Sequence, residues 1–197
     1  MTLVFATNNN HKLKEVAAIV PPGIQLLNLK DIECTDELPE TGSTFKANAH
    51  QKAMYVHEKF GVDCFADDSG LEVEALDGRP GVYSARYSGP INDSNRNIEK
   101  LLIEMKGISN RRANFRTVIS LLIADKEFYF EGIINGRITE KPIGSGGFGY
   151  DSVFIPNSHQ KTFAEMTAAE KNSISHRAIA IQQLSNFLKG FSYSVRA

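Results

Sequence analysis

A β-hairpin near the middle of the chain constrains the fold more than any other feature of the sequence. Apolar residues alternate along residues 113–123, Asp125-Lys126 forms a turn, and the chain returns through residues 127–134. Such alternation is typical of a half-buried strand, and two such strands joined by a short turn pair antiparallel. A purely parallel, doubly wound sheet is therefore disfavoured. Asn135-Gly136 predicts a second turn directly after the hairpin.

The chain before the hairpin alternates strands with helices. Residues 3–6 form a short apolar run, after which apolar residues recur at helical spacing until Pro21-Pro22 stops them. The remaining patterns predict helices over 45–60, 92–105 and 175–188, and strands over 24–29, 62–66, 71–75 and 150–155.

These elements predict an α/β protein with a mixed β-sheet and flanking helices, bent into two lobes around a central cleft. No repeat, linker or low-complexity tract interrupts the sequence. We therefore expect residues 1–197 to form a single domain with two lobes.

Composition excludes several classes of function. The chain has 197 residues, 42% of them hydrophobic, and 22 Lys and Arg against 23 Asp and Glu give a net charge of −1. Such a protein has no general attraction to nucleic acid or to anionic membranes. Without a basic and apolar leader or a long apolar run, it is expected in the cytoplasm. Cys34 and Cys64 have neither metal-site nor disulfide spacing and are interpreted as packing residues.

Two adjacent carboxylates follow the strand predicted over 62–66. Asp67 and Asp68 fall in Asp-Asp-Ser-Gly, which indicates a turn. Like charges this close are tolerated where solvent screens them or where a cation binds, so a solvated turn and a metal site are both open. Glu40, in the loop before the second helix, would complete a magnesium site with Asp68, water and phosphate oxygens. Its spacing alone favours a simpler role, complementing the helix dipole.

Residues 6–12, Ala-Thr-Asn-Asn-Asn-His-Lys, join the carboxyl end of the first strand to the amino end of the first helix. Free backbone N–H groups and the helix dipole favour an anion there, and Lys12 supplies a full positive charge. The segment is therefore a candidate phosphate site, although an Asn-rich helix cap beside a solvated lysine explains the same pattern.

Two further segments carry polar and aromatic groups suited to a nucleobase. Residues 143–151 are rich in glycine around Phe148 and Asp151, so a base would stack on the ring while polar groups read its edge. Lys171, His176 and Arg177 lie near the start of the last predicted helix, where cations do not complement the dipole and would instead meet an anion or a keto oxygen. The alternatives are Phe148 packed in the core and a solvated basic turn.

Together these segments resemble the inosine triphosphate pyrophosphatase family, also called Ham1-like. The resemblance is carried by Ala-Thr-Asn-Asn-Asn-His-Lys at 6–12, Glu-Thr-Gly-Ser-Thr-Phe-Lys-Ala-Asn-Ala at 40–49, Lys52-Ala53, Ala-Asp-Asp-Ser-Gly-Leu-Glu-Val at 66–73, Pro-Gly-Val-Tyr-Ser-Ala-Arg-Tyr at 80–87, Gly-Gly-Phe-Gly-Tyr-Asp at 146–151, Thr-Phe-Ala-Glu-Met at 162–166 and Glu-Lys-Asn-Ser-Ile-Ser-His-Arg at 170–177. It covers nearly the whole chain and implies a long curved mixed sheet with the site between two lobes.

The resemblance also implies hydrolysis of ITP, dITP and XTP to the monophosphate and pyrophosphate, with Mg²⁺ as cofactor and a homodimer as the assembly. By motif, the implied metal ligands are Glu40 and Asp68. The implied substrate-binding residues are Thr7, Asn8, Asn9, Asn10, His11, Lys12, Ser69, Phe148, Gly149, Tyr150, Asp151, Lys171, His176 and Arg177.

In this reaction water attacks the α-phosphorus and pyrophosphate leaves. Asp68 is the predicted proton acceptor and Lys12 the predicted charge on the leaving pyrophosphate, which makes these two the candidate catalytic residues. Two alternatives stay open: a pyrophosphatase for other modified nucleotides, and a nucleotide-binding sensor without hydrolysis. The acidic residues argue against the sensor, because a protein that only binds nucleotides has less need of carboxylate metal ligands.

Overall fold

The computed structural model describes residues 1–194. Its strands are β1 (Thr2–Phe5), β2 (Gln25–Asn28), β3 (Cys64–Val73), β4 (Arg112–Ile123), β5 (Lys126–Ile138) and β6 (Phe154–Pro156). Its helices are α1 (Asn10–Ile19), α2 (Phe45–Phe60), α3 (Ser94–Glu104), α4 (Ala168–Ile174) and α5 (His176–Ser194), with short 3-10 turns between several of these elements.

The strands form one sheet in the order β2-β1-β3-β4-β5-β6. β1 pairs with β2 and with β3 in parallel, whereas β5 and β6 pair with each other antiparallel. The β4–β5 turn holds Ala124 and Asp125 at φ +49° and +58°, the left-handed geometry that tight hairpin turns require. The predicted mixed α/β sheet with flanking helices is confirmed.

The chain divides into two compact units. Among the described residues, the first contains 1–68, 117–132 and 177–194, and the second contains 69–116 and 133–176. Within residues 1–194, no helix combines the length and the apolar character needed to cross a membrane.

The first unit has an apolar core on each face of its strands. One core packs Phe5 and Phe65 against α1 and α5, and the two rings stack with centroids 4.7 Å apart. The other packs Cys64 and Ala66 against Val56 of α2. Because side chains alternate along a strand, consecutive residues of β3 face different helices.

The core of the second unit is built on aromatic rings. Phe115 lies edge-on to Phe154, with centroids 4.8 Å apart, and Phe163 packs 5.4 Å from Phe154. Leu101 and Met105, at the end of α3, are fully buried in the same cluster. Apolar side chains at helical spacing therefore determine which face of α3 is buried.

Several predicted boundaries are wrong. Asn135-Gly136 forms no turn, because both residues lie inside β5. A Cβ on Gly136 would lie 2.3 Å from the Ile155 carbonyl oxygen, so this glycine permits close approach of β6. The strand predicted over 150–155 is shorter, Phe154–Pro156, and the helix predicted over 175–188 begins at His176, after a separate helix α4.

Candidate active site

Asp67 and Asp68 lie inside a strand. The sequence predicted a turn between two strands here, but β3 runs without interruption through both carboxylates, Ser69 and Gly70. Asp67 is 2% exposed and Asp68 is 6% exposed, so the solvated turn is wrong as well. Burying two charged groups costs several kcal/mol each unless partners compensate, and both carboxylates have such partners.

Asp67 is surrounded by cations. Its Oδ1 accepts from Lys12 Nζ at 2.9 Å and its Oδ2 from Arg177 Nε at 3.1 Å. Arg177, only 1% exposed, also pairs with Glu15 of α1. Burial alone would raise the pKa of Asp67, but the charges of Lys12, Arg177 and Lys52 outweigh it and hold that pKa well below its usual range. Asp67 is therefore a permanent anion that holds two cations in place.

Asp68 has a different environment. Its Oδ2 accepts from the Asn48 side-chain amide at 2.9 Å. Burial raises the pKa of Asp68, and the positive charges of Lys52 and Lys12 only partly oppose this. A carboxylate with a raised pKa holds a proton better than an ordinary aspartate, which is the property that a general base requires.

Lys52 of α2 connects Glu40 to the strand. Its ammonium group pairs with Glu40 and donates to the Asp67 backbone oxygen at 2.7 Å. The negative charge of Glu40 raises the pKa of Asp68 further. Glu40 therefore belongs electrostatically to the Asp67–Asp68 site, in addition to any effect on the α2 dipole.

The candidate phosphate segment is already capped. Asn9 is the N-cap of α1, and its Oδ1 accepts from the backbone N–H groups of His11 and Lys12, so the expectation that these two donors are free is wrong. The Asn9 N–H in turn donates to the Thr7 hydroxyl. Asn8, Asn10 and His11 are exposed, while burial lowers the pKa of the Lys12 ammonium and Asp67 counteracts part of that shift.

A second cluster lies in the other unit. Asp151 accepts from the Phe148 backbone N–H at 2.8 Å and from Lys171 Nζ at 2.6 Å, and Lys171 Nζ lies 4.7 Å from the centre of the Phe148 ring. Gly147 has φ +70°, and a Cβ there would lie 2.1 Å from Asp151 Oδ2. Phe148 is half-buried and absent from the apolar core, so the core-plug alternative is wrong.

The three basic residues of the segment, Lys171, His176 and Arg177, are buried, so the solvated basic turn is wrong too. Lys171 lies in the last turn of α4, where a cation complements the helix dipole, and not at the start of the last helix. The His176 ring is stacked on Phe115, with centroids 4.8 Å apart and planes at 10°. Of the other sequence candidates, Tyr150 is buried and donates to the Ser84 carbonyl, whereas Ser69 and Gly149 are half-buried.

Glu40 and Asp68 are the carboxylates that could hold a cation. Among residues 1–194, no group of three or more His, Cys, Asp or Glu side chains is arranged to hold a metal ion. Two carboxylates still fit Mg²⁺, which is commonly bound through one or two carboxylates together with waters and substrate phosphates. The donor set is therefore compatible with a divalent cation whose other ligands are water or phosphate oxygens.

Sequence reasoning missed three residues of the first cluster: Glu15, Asn48 and Lys52. A signal existed for two of them, because Asn48 and Lys52 are polar residues one turn apart on the apolar face of α2, and they are 1% and 5% exposed. A polar side chain buried on such a face needs a partner, and the nearby carboxylates supply it.

Known proteins share this fold. The solved structure of the Staphylococcus aureus Ham1 protein superposes with a TM-score of 0.88 at 39% identity, covering 96% of this chain and 99% of that one. A Ham1 structure from Coxiella burnetii gives 0.89 at 37% identity, covering 96% and 99%. The fold is therefore that of the Ham1 structures.

Sequence comparison agrees with the structural match. The Ham1 family model matches residues 3–187, and the chain belongs to this family. A curated relative from Flavobacterium johnsoniae, named dITP/XTP pyrophosphatase, is 49% identical over 188 residues, which cover 95% of this chain and 98% of the relative.

Proposed function

We propose that this chain is an enzyme that hydrolyses non-canonical purine nucleoside triphosphates, ITP, dITP and XTP, to the monophosphate and pyrophosphate. Family membership and the names of relatives nearly half identical to it support this proposal. The observation that carries it is the pairing of an anionic Asp67, which holds Lys12, with a neighbouring Asp68 of raised pKa. The first arrangement suits phosphate charge and the second suits proton removal from water.

We assign the chemical steps of hydrolysis to residues of the first unit. A water oxygen bonds to the α-phosphorus, the bridging bond to the β-phosphate breaks, and pyrophosphate leaves. Asp68 accepts the proton of the water, and Lys12 offsets the charge of the departing pyrophosphate. Mg²⁺, held by Glu40 and Asp68, would neutralise phosphate charge and lower the pKa of a bound water.

We assign the triphosphate to Thr7, Asn8, Asn9, Asn10, His11 and Lys12, with Ser69 as a further substrate contact. The base is assigned to residues of the second unit, Phe148, Gly149, Tyr150, Asp151, Lys171 and His176. Arg177 belongs to the substrate-binding set by its motif. Its contacts with Asp67 and Glu15 also support a second task, which is to fix Asp67 beside Lys12.

Base selection follows from the chemistry of the 6-position. Inosine and xanthosine carry a keto oxygen that accepts a hydrogen bond, whereas adenosine carries an amino donor. A buried protein donor that faces the 6-amino group of ATP has no acceptor, which costs about 1–3 kcal/mol. Two such donors would therefore favour ITP over ATP by about 100-fold. We assign the two donors that would meet the keto oxygen to His176 and Arg177.

The deciding experiment measures pyrophosphate release from ITP, dITP, XTP, ATP, GTP and dUTP, with and without Mg²⁺. We expect catalytic efficiency for ITP and XTP about 100-fold above that for ATP, and loss of turnover in a chelator. The matched control is Asp68→Asn, purified identically, which detects contaminating phosphatases. Preference for dUTP or ATP would contradict the substrate proposal, and tight binding of ITP without pyrophosphate would indicate a sensor.

The assembly, domain organisation and location belong to the same proposal. The family resemblance supports a homodimer, which light scattering during gel filtration would test. Strands β3, β4 and β5 each contribute residues to both units, which supports one domain with two lobes. A role in cleaning the nucleotide pool is consistent with the cytoplasm.

A further inference from the structure

Asn48 uses both ends of its side-chain amide. Its Nδ2 donates to Asp68 Oδ2 at 2.9 Å, and its Oδ1 accepts from the Gly42 backbone N–H at 2.7 Å. The residue is 1% exposed. One rigid amide therefore bridges β3 to the loop that carries Glu40, two residues before Gly42.

The bridge is tightly fitted at both ends. Asn48 lies in the first turn of α2, where its own backbone N–H donates to Thr44 O at 3.1 Å. A Cβ on Gly42 would lie 2.6 Å from Ala47 Cβ and 2.9 Å from Asn48 Oδ1, so the loop rests directly on the helix. Neither end of the amide can move far without displacing packed backbone.

We propose that Asn48 is a positioning residue that fixes the orientation of the Asp68 carboxylate and its place relative to Glu40. This inference rests on the proposed function, in which both carboxylates act together. A carboxylate that must take up a proton and bind a cation gains from a held orientation, because misplacement by about 1 Å can cost about 100-fold in rate. Groups that orient metal ligands commonly affect metal affinity or activity by about 10–100-fold.

An amide suits this task for a chemical reason. Asn presents one donor and one acceptor on a short side chain, and the two partners require one of each: Asp68 needs a donor and the Gly42 N–H needs an acceptor. An aspartate at this position would set two carboxylates against each other, and an apolar side chain would leave both partners unsatisfied.

Gln51, on the next turn of α2, supplies a matched comparison. Its Oε1 accepts from the Thr41 N–H at 3.0 Å and its Nε2 donates to the Thr41 hydroxyl at 2.9 Å. It therefore also ties the loop to α2 through an amide, but both of these bonds go to Thr41 and neither goes to Asp68. Comparing the two amides separates loop tethering from orientation of the carboxylate.

The test compares Asn48→Leu, which keeps the branching and the number of side-chain heavy atoms and removes both hydrogen bonds, with Gln51→Met. Calorimetry measures the affinity of the nucleotide-free protein for Mg²⁺, and steady-state kinetics separates kcat from KM for ITP. We expect Asn48→Leu to weaken Mg²⁺ binding and to lower kcat by about 10–100-fold each, with little change in KM. For Gln51→Met, the Mg²⁺ affinity, kcat and KM are each expected to stay within about twofold of wild type.

Equal effects of the two variants would mean that Asn48 only tethers the loop, and wild-type behaviour of Asn48→Leu would also overturn the inference. Circular dichroism and urea unfolding check that Asn48→Leu is folded. If it is not, Asn48→Ser repeats the test, because its hydroxyl is too short to reach Asp68 and the space left admits water. A wild-type protein that releases no pyrophosphate from ITP would refute the proposed function, and this inference with it. An active wild type with an unchanged Asn48→Leu variant would refute the inference alone.

Discussion

The two faces of β3 differ in the charge of the partners that surround a carboxylate. Asp67 and Asp68 are consecutive residues of the same type, and their side chains leave the strand on opposite faces. Asp67 meets Lys12 and Arg177, while Asp68 meets the neutral amide of Asn48. The pKa of the first is lowered by cations, and that of the second is raised by burial.

This difference shows that the environment, and not the residue type, divides the work between neighbouring acids. One face supplies enough positive charge to keep Asp67 ionised. The other removes water without supplying an equal counter-charge, which leaves Asp68 able to take up a proton. Three substitutions would break or sharpen the comparison.

The largest effect is expected from Arg177→Met, which removes a cation from the Asp67 face. The guanidinium is buried between Asp67 and Glu15, so its loss leaves two carboxylates short of a partner and is expected to lower the free energy of unfolding by about 3 kcal/mol. Urea unfolding at neutral pH measures this. The control is Arg96→Met, whose exposed pair with Asp93 is expected to contribute less than about 1 kcal/mol. A loss no larger than that of the control would show that Arg177 does not stabilise Asp67.

Asp68→Asn tests the opposite face. Turnover of ITP is expected to fall about 100-fold or more, because the amide cannot accept the proton of the attacking water. The free energy of unfolding at neutral pH is expected to rise, since a carboxylate whose pKa is raised on folding opposes the folded state once it is ionised.

Asp63→Asn is the control for this change. Asp63 Oδ1 accepts from the Ala124 backbone N–H just before β3, and asparagine retains that acceptor. Its turnover is expected to stay near wild type. Comparable losses in Asp63→Asn and Asp68→Asn would remove Asp68 from the mechanism.

The smallest effect concerns acid stability and compares wild type with Asp67→Asn. The folded-state pKa of Asp67 lies below its unfolded value of about 3.9, so its contribution to stability is complete above that pH and is lost as the pH falls. Below about pH 4, wild type is expected to lose about 1.4 kcal/mol more per pH unit than the variant. Urea titrations at several pH values give both slopes, and parallel slopes would show that Asp67 is not held ionised.

The sequence predicts the elements of this fold well where one face of a strand or helix is apolar. The β4–β5 hairpin and α3 follow directly from such spacing. The prediction fails where polar residues lie inside a strand. Asp-Asp-Ser-Gly indicates a turn locally, and only partners from α1, α2 and α5 make it favourable as strand.

The candidate site is predictable as a set of residues but not as a set of contacts. Glu40, Asp68 and Lys12 are identified by their motifs. The pairing of Arg177 with Glu15 joins residues 162 positions apart, and no local pattern signals it. The role of Asn48 likewise depends on Gly42 and Asp68 meeting its two ends, which requires the folded chain.

The position of Asp67 and Asp68 inside a strand has a consequence for how this chain can change over generations. Deleting or inserting one residue between Cys64 and Asp67 would move every following side chain of β3 to the other face. After a deletion, Asp68 would take the place of Asp67, and the proposed proton acceptor would become an anion beside Lys12. Single substitutions at Ala66 or Ser69 leave that alternation intact. Natural variation in this segment should therefore consist of residue replacements at constant length, whereas loops such as residues 157–161 can accept insertions.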